Sequence, residues 1–454
     1  MNHELQQAKA LKQALTDFVF DAEDELATAL EAYSAEQLRP QQVDMHRREL
    51  VVDRFLVEGQ VGKQTPIDLF IEQHPDLTAS EKLLLQTWRR GFVGLFTITQ
   101  VLADGLELMN WTTAKVYRVQ LSDHESTAAA RLDIGDIVLG QIAPAGSDWM
   151  FFSPWISLGK LGKPKLAVAI GNFKQNYRSH LYSDAPELLA EAWKSVERHY
   201  QQFIDFFGSN EITMPGYQLS KKLTEFQEVL TQKQLEEAGI DASKSLTELA
   251  AEAGISEEEI AEAATEMGAD AKVLEQVLQV KQSVKVANKM MAPPVELPPD
   301  LKKAEQVTII ADPRWGQVFL SNYMQFKSAL SGEPAEAVPG TKNQIGDQAA
   351  GAALAKKYLQ DSTIPAFVWH CLAQAHPVEL EAVLKQVLDQ PDFNLKTDLD
   401  AVLQKHGKSL ETELPEIASV PLHLHNLFQE AVAEVSKDRA KKKIKPKAKG
   451  GFQR

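Results

Sequence analysis

The chain has 454 residues, with 48 Lys and Arg against 63 Asp and Glu, for a formal charge of −15. A composition of 44% hydrophobic and 24% charged residues is that of a globular protein and excludes wholesale disorder, collagen and a bare coiled coil. The single cysteine, Cys371, excludes an internal disulfide, a thiolate zinc finger and a Cys-ligated iron–sulfur cluster within one chain, and favours a reducing, cytoplasmic compartment.

Residues 1–91 read as a helical region. Met1 to Phe20 interleaves Glu4, Lys9, Lys12 and Asp17 with apolar residues, so it offers no secretory h-region. Leu11, Leu15, Phe18, Val19, Ala22 and Leu26 recur every three or four residues and share one helical face. Arg39-Pro40 breaks that run, and Met45, Leu50, Val51, Phe55 and Leu56 begin another stripe. Thr65-Pro66 is an N-cap followed by a first-turn proline, Thr78 and Glu81 have capping-box spacing, and Gly91 is a stop.

Residues 92–175 change to a small β module. Leu95 to Val101 alternates, Ala103-Asp104-Gly105 turns, and Leu106, Leu108 and Trp111 form the next strand. Val116, Tyr117 and Val119, then Ile137 to Ile142, then Trp149 to Phe152 complete the series. Short strands at roughly ten-residue intervals predict an antiparallel sheet or barrel. Lysines around Gly159 and Gly162 read as a basic surface loop, since Pro164 removes an amide that a phosphate would need.

Residues 176–291 return to helix, beginning with Pro186 to Phe207. Within them, 236–270 is helix-turn-helix-like: Ala250 allows close approach, Gly254 turns, and Ile255 and Ile260 fill the shared core. That unit has eleven acidic side chains and one basic, Lys244, so a phosphate backbone would repel it and sequence-specific DNA binding is disfavoured. Glu257, Glu258 and Glu262 are instead candidates for binding a protein partner.

The proline-rich stretch 292–300 reads as a linker, and 301–436 as a C-terminal helical domain in which Asp312-Pro313 opens a helix to Leu330. Residues 437–454 form a basic tail of net +8, leaving −23 for the rest of the chain. Such a run should be disordered. Lys441, Lys442, Lys443, Lys445, Lys447 and Lys449 are its candidates for binding an anion, whether RNA or an acidic surface. The expected class is α+β, mostly α: a helical frame around a small antiparallel sheet or barrel, with a second all-helical domain and no transmembrane segment.

No catalytic, cofactor or metal motif emerges. His370 and His376 are six apart and miss the helical i, i+4 spacing, and Cys371 sits among apolar neighbours as an inert thiol. No phosphate loop or nucleophile elbow occurs. The segment Trp149 to Trp155 holds too many aromatics for one strand face, so Trp149, Phe151 and Trp155 are candidates for a docking surface.

Thr65-Pro66, Trp88, Leu95-Phe96, Gly105-Leu106, Tyr117-Arg118-Val119 and Leu132-x-x-Gly135-Asp136-Ile137 together resemble a helix-plus-small-β module of poorly characterised bacterial proteins that often end in a SEC-C zinc motif. The Cys-rich motif is missing, so the resemblance implies architecture and no metal function. The sequence as a whole favours a non-catalytic interaction or assembly factor that binds other proteins. The alternative is a nucleic-acid-associated protein that binds RNA or the ribosome through its tail.

Overall fold

A computed structural model describes residues 3–37, 45–237, 290–291, 295–332 and 348–444. The chain is α+β and mostly α, and its contacts divide it into two units. Of the described residues, one comprises 3–37, 45–189 and 421–444, the other 190–237, 290–291, 295–332 and 348–420.

The first unit opens with helices α1 (His3–Phe20), α2 (Glu25–Gln37), α3 (Met45–Glu58), α4 (Pro66–Gln73) and α5 (Ala79–Thr87). Leu5, Ala8, Leu11, Leu15 and Val19 are the buried stripe of α1. Complete capping boxes, Thr65 with Asp68 and Thr78 with Glu81, start α4 and α5 and satisfy amides that a helix start leaves unbonded. Thr65→Ala is therefore expected to cost about 1 kcal/mol in a urea unfolding titration, against almost nothing for Ser at the same position.

Strands β1 (Phe92–Leu102), β2 (Gly105–Asn110), β3 (Val116–Gln120), β4 (Ile137–Ala145) and β5 (Asp148–Phe151) follow, with helix α6 (Asp123–Ala129) between β3 and β4. They are hydrogen-bonded in the order β1-β2-β3-β5-β4, and β4 returns to pair with β1, with Phe92 opposite Ile142 and Thr97 opposite Ile137. The barrel is closed, and every pairing in it is antiparallel except β3 with β5. Gly105 begins β2 because a Cβ there would lie 2.1 Å from the Val119 carbonyl oxygen. Phe92, Phe96, Ile98, Leu106, Leu108, Val119, Val138, Ile142 and Phe151 fill the interior. A short sixth strand, β6 (Ile156–Gly159), adds to β4.

The stretch read as a basic loop instead starts helix α7 (Lys163–Asn176), with Gly162 at the N-cap and Pro164 in the first turn. Leu166, Ile170 and Phe173 give that helix a buried stripe.

The second unit takes up most of α8 (Pro186–Phe207), then β7 (Glu211–Met214), α9 (Gly216–Glu237), the two-residue β8 (Met290–Met291), β9 (Val307–Asp312) and β10 (Gly316–Ser321). Helices α10 (Tyr323–Ser331), α11 (Gln348–Gln360), α12 (Ala366–Ala375), α13 (Pro377–Leu388) and α14 (Leu395–Lys405) follow. This unit is mainly helical and includes a three-stranded sheet, β10-β9-β7, that the reading as an all-helical domain missed. Asp312-Pro313 does not open a helix. It turns the β9–β10 hairpin, with the Asp312 carboxylate accepting from the amides of Arg314 and Trp315.

The proline-rich stretch is not a free linker either. In its described part, 295–300, Leu297 is buried and Val295 packs beside it in a core with Phe203, Phe226 and Ile309. The last helix, α15 (Leu422–Ile444), belongs to the first unit. Its backbone carries the start of the basic tail, through Lys441, Lys442 and Lys443, in helix rather than disorder. Lys, Arg and Ala are strong helix formers, and cations at a helix C-terminus meet its negative end.

Candidate functional site

The barrel joins five strands in the order β1-β2-β3-β5-β4 with one parallel pair, β3 with β5, and a helix between β3 and β4, a topology that unrelated functions can share. A shared topology does not assign a ligand, so the chemistry must come from the side chains.

Two sides of the barrel are already covered. Ala143, Ala145, Met150 and Phe152 point out from β4–β5 into the helical core of α1, α3, α4 and α5. Val93, Leu95, Ile137 and Leu139 point into α7 and α15, against Ile170, Phe173, Leu424 and Leu427. Among the described residues, what remains open is the face of β1, β2 and β3. Thr97, Met109 and Val116 form one outward row across it, and Val116 is 55% exposed. Glu107 and Arg118 form the next row. Both are held within the sheet: Arg118 pairs with Asp104 at 2.9 Å, and the Glu107 carboxylate accepts from the Thr99 hydroxyl at 2.7 Å. Val101, half exposed, lies at the end of β1.

Charges buried beneath α1 fasten it to the barrel. Lys9 Nζ donates to Glu125 of α6 at 2.6 Å and to the Phe151 carbonyl at 2.7 Å. Burial lowers the Lys9 pKa despite Glu125 beside it. Lys12 meets Asp53 of α3 at 2.6 Å, and burial pushes that carboxyl up to about 6 against the pull of Lys12. Further along α3, Glu58 accepts from Tyr33 and sits 2.5 Å from Arg54 and 3.1 Å from His180. Burial alone would raise Glu58; His180, Arg54 and Tyr33 outweigh it and hold the carboxyl down at about 2. An imidazole, a phenol and a carboxylate meet here, but Arg54 and His180 are buried and the three are spent on one another, as in a structural tie.

The sequence candidates fare unequally. Phe151 is 1% exposed and faces the barrel core, so it cannot meet a partner; strand alternation turns Met150 and Phe152 outward instead. Trp149 and Trp155 are half-buried, Trp155 against Phe151 at 4.8 Å and Trp149 against Tyr117 at 5.0 Å. Glu257, Glu258 and Glu262, like Lys445, Lys447 and Lys449, lie outside the described residues. The sequence reading assigned no binding role to Arg90, Lys115, Val116, Arg118 or Asp184, which gather around the barrel. Only Val116 and Arg118 carried a usable signal, since alternation against the buried Tyr117 and Val119 turns both outward.

Among the described residues, no group of three or more His, Cys, Asp or Glu is placed to hold a metal, and no helix is long and apolar enough to cross a membrane. No protein-family model, curated protein or solved structure matches the chain.

Proposed function

We propose that this protein is a non-catalytic interaction or assembly factor that docks a protein partner on the open β1–β2–β3 face of its barrel, in the cytoplasm. The observation that carries this reading is selective covering. Among the described residues, the chain's own helices bury the outer surfaces of β4–β5 and of the β1–β4 seam and leave the β1–β2–β3 face free. That face presents apolar and threonine side chains beside an Arg118 paired with Asp104 and a Glu107 hydrogen-bonded by Thr99, the chemistry of a protein contact.

Its expected test is capture of a stoichiometric partner by the full chain, lost on Val116→Asp. Val116 is exposed, so the substitution should change stability by no more than about 0.5 kcal/mol. A partner retained by Val116→Asp would remove the face from the reading.

The strand order β1-β2-β3-β5-β4 with a helix between β3 and β4, like that of OB-type barrels that bind oligonucleotides, and the run Lys441 to Lys443 favour a second reading, RNA binding. Against it, Arg118 on this face is held by Asp104, and β2 and β3 turn no aromatic outward. RNA retention that falls steeply with salt and disappears on deleting 437–454 would favour the tail-based reading over the face.

A further inference from the structure

The starts of β1, β3 and β5 meet at one end of the barrel, where Phe92, Tyr117 and Trp149 close it with edge-to-face rings. Their centroids are 5.5 Å apart for Phe92–Tyr117, 5.0 Å for Tyr117–Trp149 and 5.8 Å for Phe92–Trp149. Over the Trp149 ring, 5.8 Å from its centroid, lies the Arg90 guanidinium, which also reaches Asp184 Oδ1 at 2.8 Å. Asp184 Oδ2 is 3.5 Å from the Tyr117 hydroxyl, and Lys115 Nζ donates to the Asp184 carbonyl. One carboxylate is thus addressed by a guanidinium backed by an indole, a phenol and, on its backbone, an ammonium.

We propose that this mouth recognises a carboxylate on an acidic segment of a protein partner, and that Asp184 is a built-in occupant which the partner displaces. The proposal rests on the barrel being a docking module and names the chemistry of what docks.

Three features separate the arrangement from an ordinary surface ion pair. Asp184 has φ +56, a left-handed conformation that a residue with a Cβ adopts at a cost, so its release relieves backbone strain. The Tyr117 contact lies at the outer limit of a hydrogen bond, so Asp184 fills the site imperfectly. Arg90 is 61% exposed, open to a second carboxylate from outside, and its planar fork suits a carboxylate better than a point charge would. Lys115 at the rim is itself paired with Glu187 at 2.9 Å.

The test uses the full chain and a fluorescein-labelled hexaglutamate peptide, followed by fluorescence anisotropy at low salt. Asp184→Gly accepts the left-handed backbone and removes the carboxylate; Asp184→Asn removes only the charge. Both should bind the peptide about tenfold more tightly than the parent chain, and adding Arg90→Ala should abolish the gain. Asp133→Asn, which neutralises an exposed carboxylate paired with Lys160, controls for net charge and should change nothing. Asp184 variants that bind no better, binding that survives Arg90→Ala, or an equal gain from Asp133→Asn would each overturn the proposal. Failure here with Val116→Asp still releasing a partner removes the carboxylate site alone; the converse removes the face.

Discussion

Trp88→Ala is expected to destabilise the first unit by about 3–5 kcal/mol, the loss typical of a buried large aromatic. Trp88 is fully buried where the helices meet β4 and β5. Its indole Nε1 donates to the Pro144 carbonyl at 3.1 Å, and its ring meets Phe152 edge-on at 5.2 Å. Alanine would leave a cavity among Ala143, Met150 and Phe152 and strand a buried carbonyl. Phenylalanine would keep much of the volume and should cost less than half as much. The readouts are the urea midpoint and amide hydrogen exchange over residues 92–152, where protection should fall. With a total stability on the order of 5–15 kcal/mol, the alanine variant would stand near the edge of folding. A loss under about 1 kcal/mol would mean that the helices are not held to the barrel through this side chain.

What made the first unit legible was local pattern. Alternation between Leu95 and Val101 located β1, and Thr65-Pro66 and Thr78 with Glu81 located the starts of α4 and α5 from hydroxyl and carboxylate spacing alone. Barrel closure was not legible in detail, because the β1–β4 and β3–β5 pairings join strands far apart in sequence and leave no periodic trace. Asp312-Pro313 misled for a physical reason: an aspartate that caps a helix and one that closes a hairpin offer the same oxygen to the same amides.

The candidate site was partly visible. Trp149 stood out as an aromatic, while Arg90 and Lys115 did not, since their Asp184 partner lies 94 and 69 residues away. Phe151 was misplaced because a crowded aromatic segment does not reveal which of its residues face inward until a pairing partner is known. Here its pairing with Ile142, itself inside the barrel, settles the matter.

Acidification acts on each unit through its own buried groups. In the second, His199 of α8 is 5% exposed, beside Phe226 at 5.4 Å and Gln317 at 2.8 Å. Burial takes its pKa from 6.5 down to about 4, outweighing the opposite pull of the Gln317 hydrogen bond. A base whose folded pKa is depressed stabilises the fold fully above 6.5, and that stability is lost as pH falls toward and through 4. The loss between pH 7.5 and 5 should be about 2 kcal/mol.

In the first unit the carboxylates pull in opposite directions. Asp53, raised to about 6, disfavours the fold at neutral pH and is relieved as pH falls. Glu58, held at about 2, gives stability present above its usual 4.5 and lost only as pH falls from there toward 2. His423 and His425, lowered by burial, share the sense of His199, so total stability against pH would mix several groups. Comparing the parent chain with His199→Gln isolates one of them. The difference in unfolding free energy between the two should shrink by about 2 kcal/mol from pH 7.5 to pH 5, because only the parent acquires a proton at this position on unfolding. A difference that stays constant with pH would show that position 199 remains solvated enough to titrate normally in the folded chain.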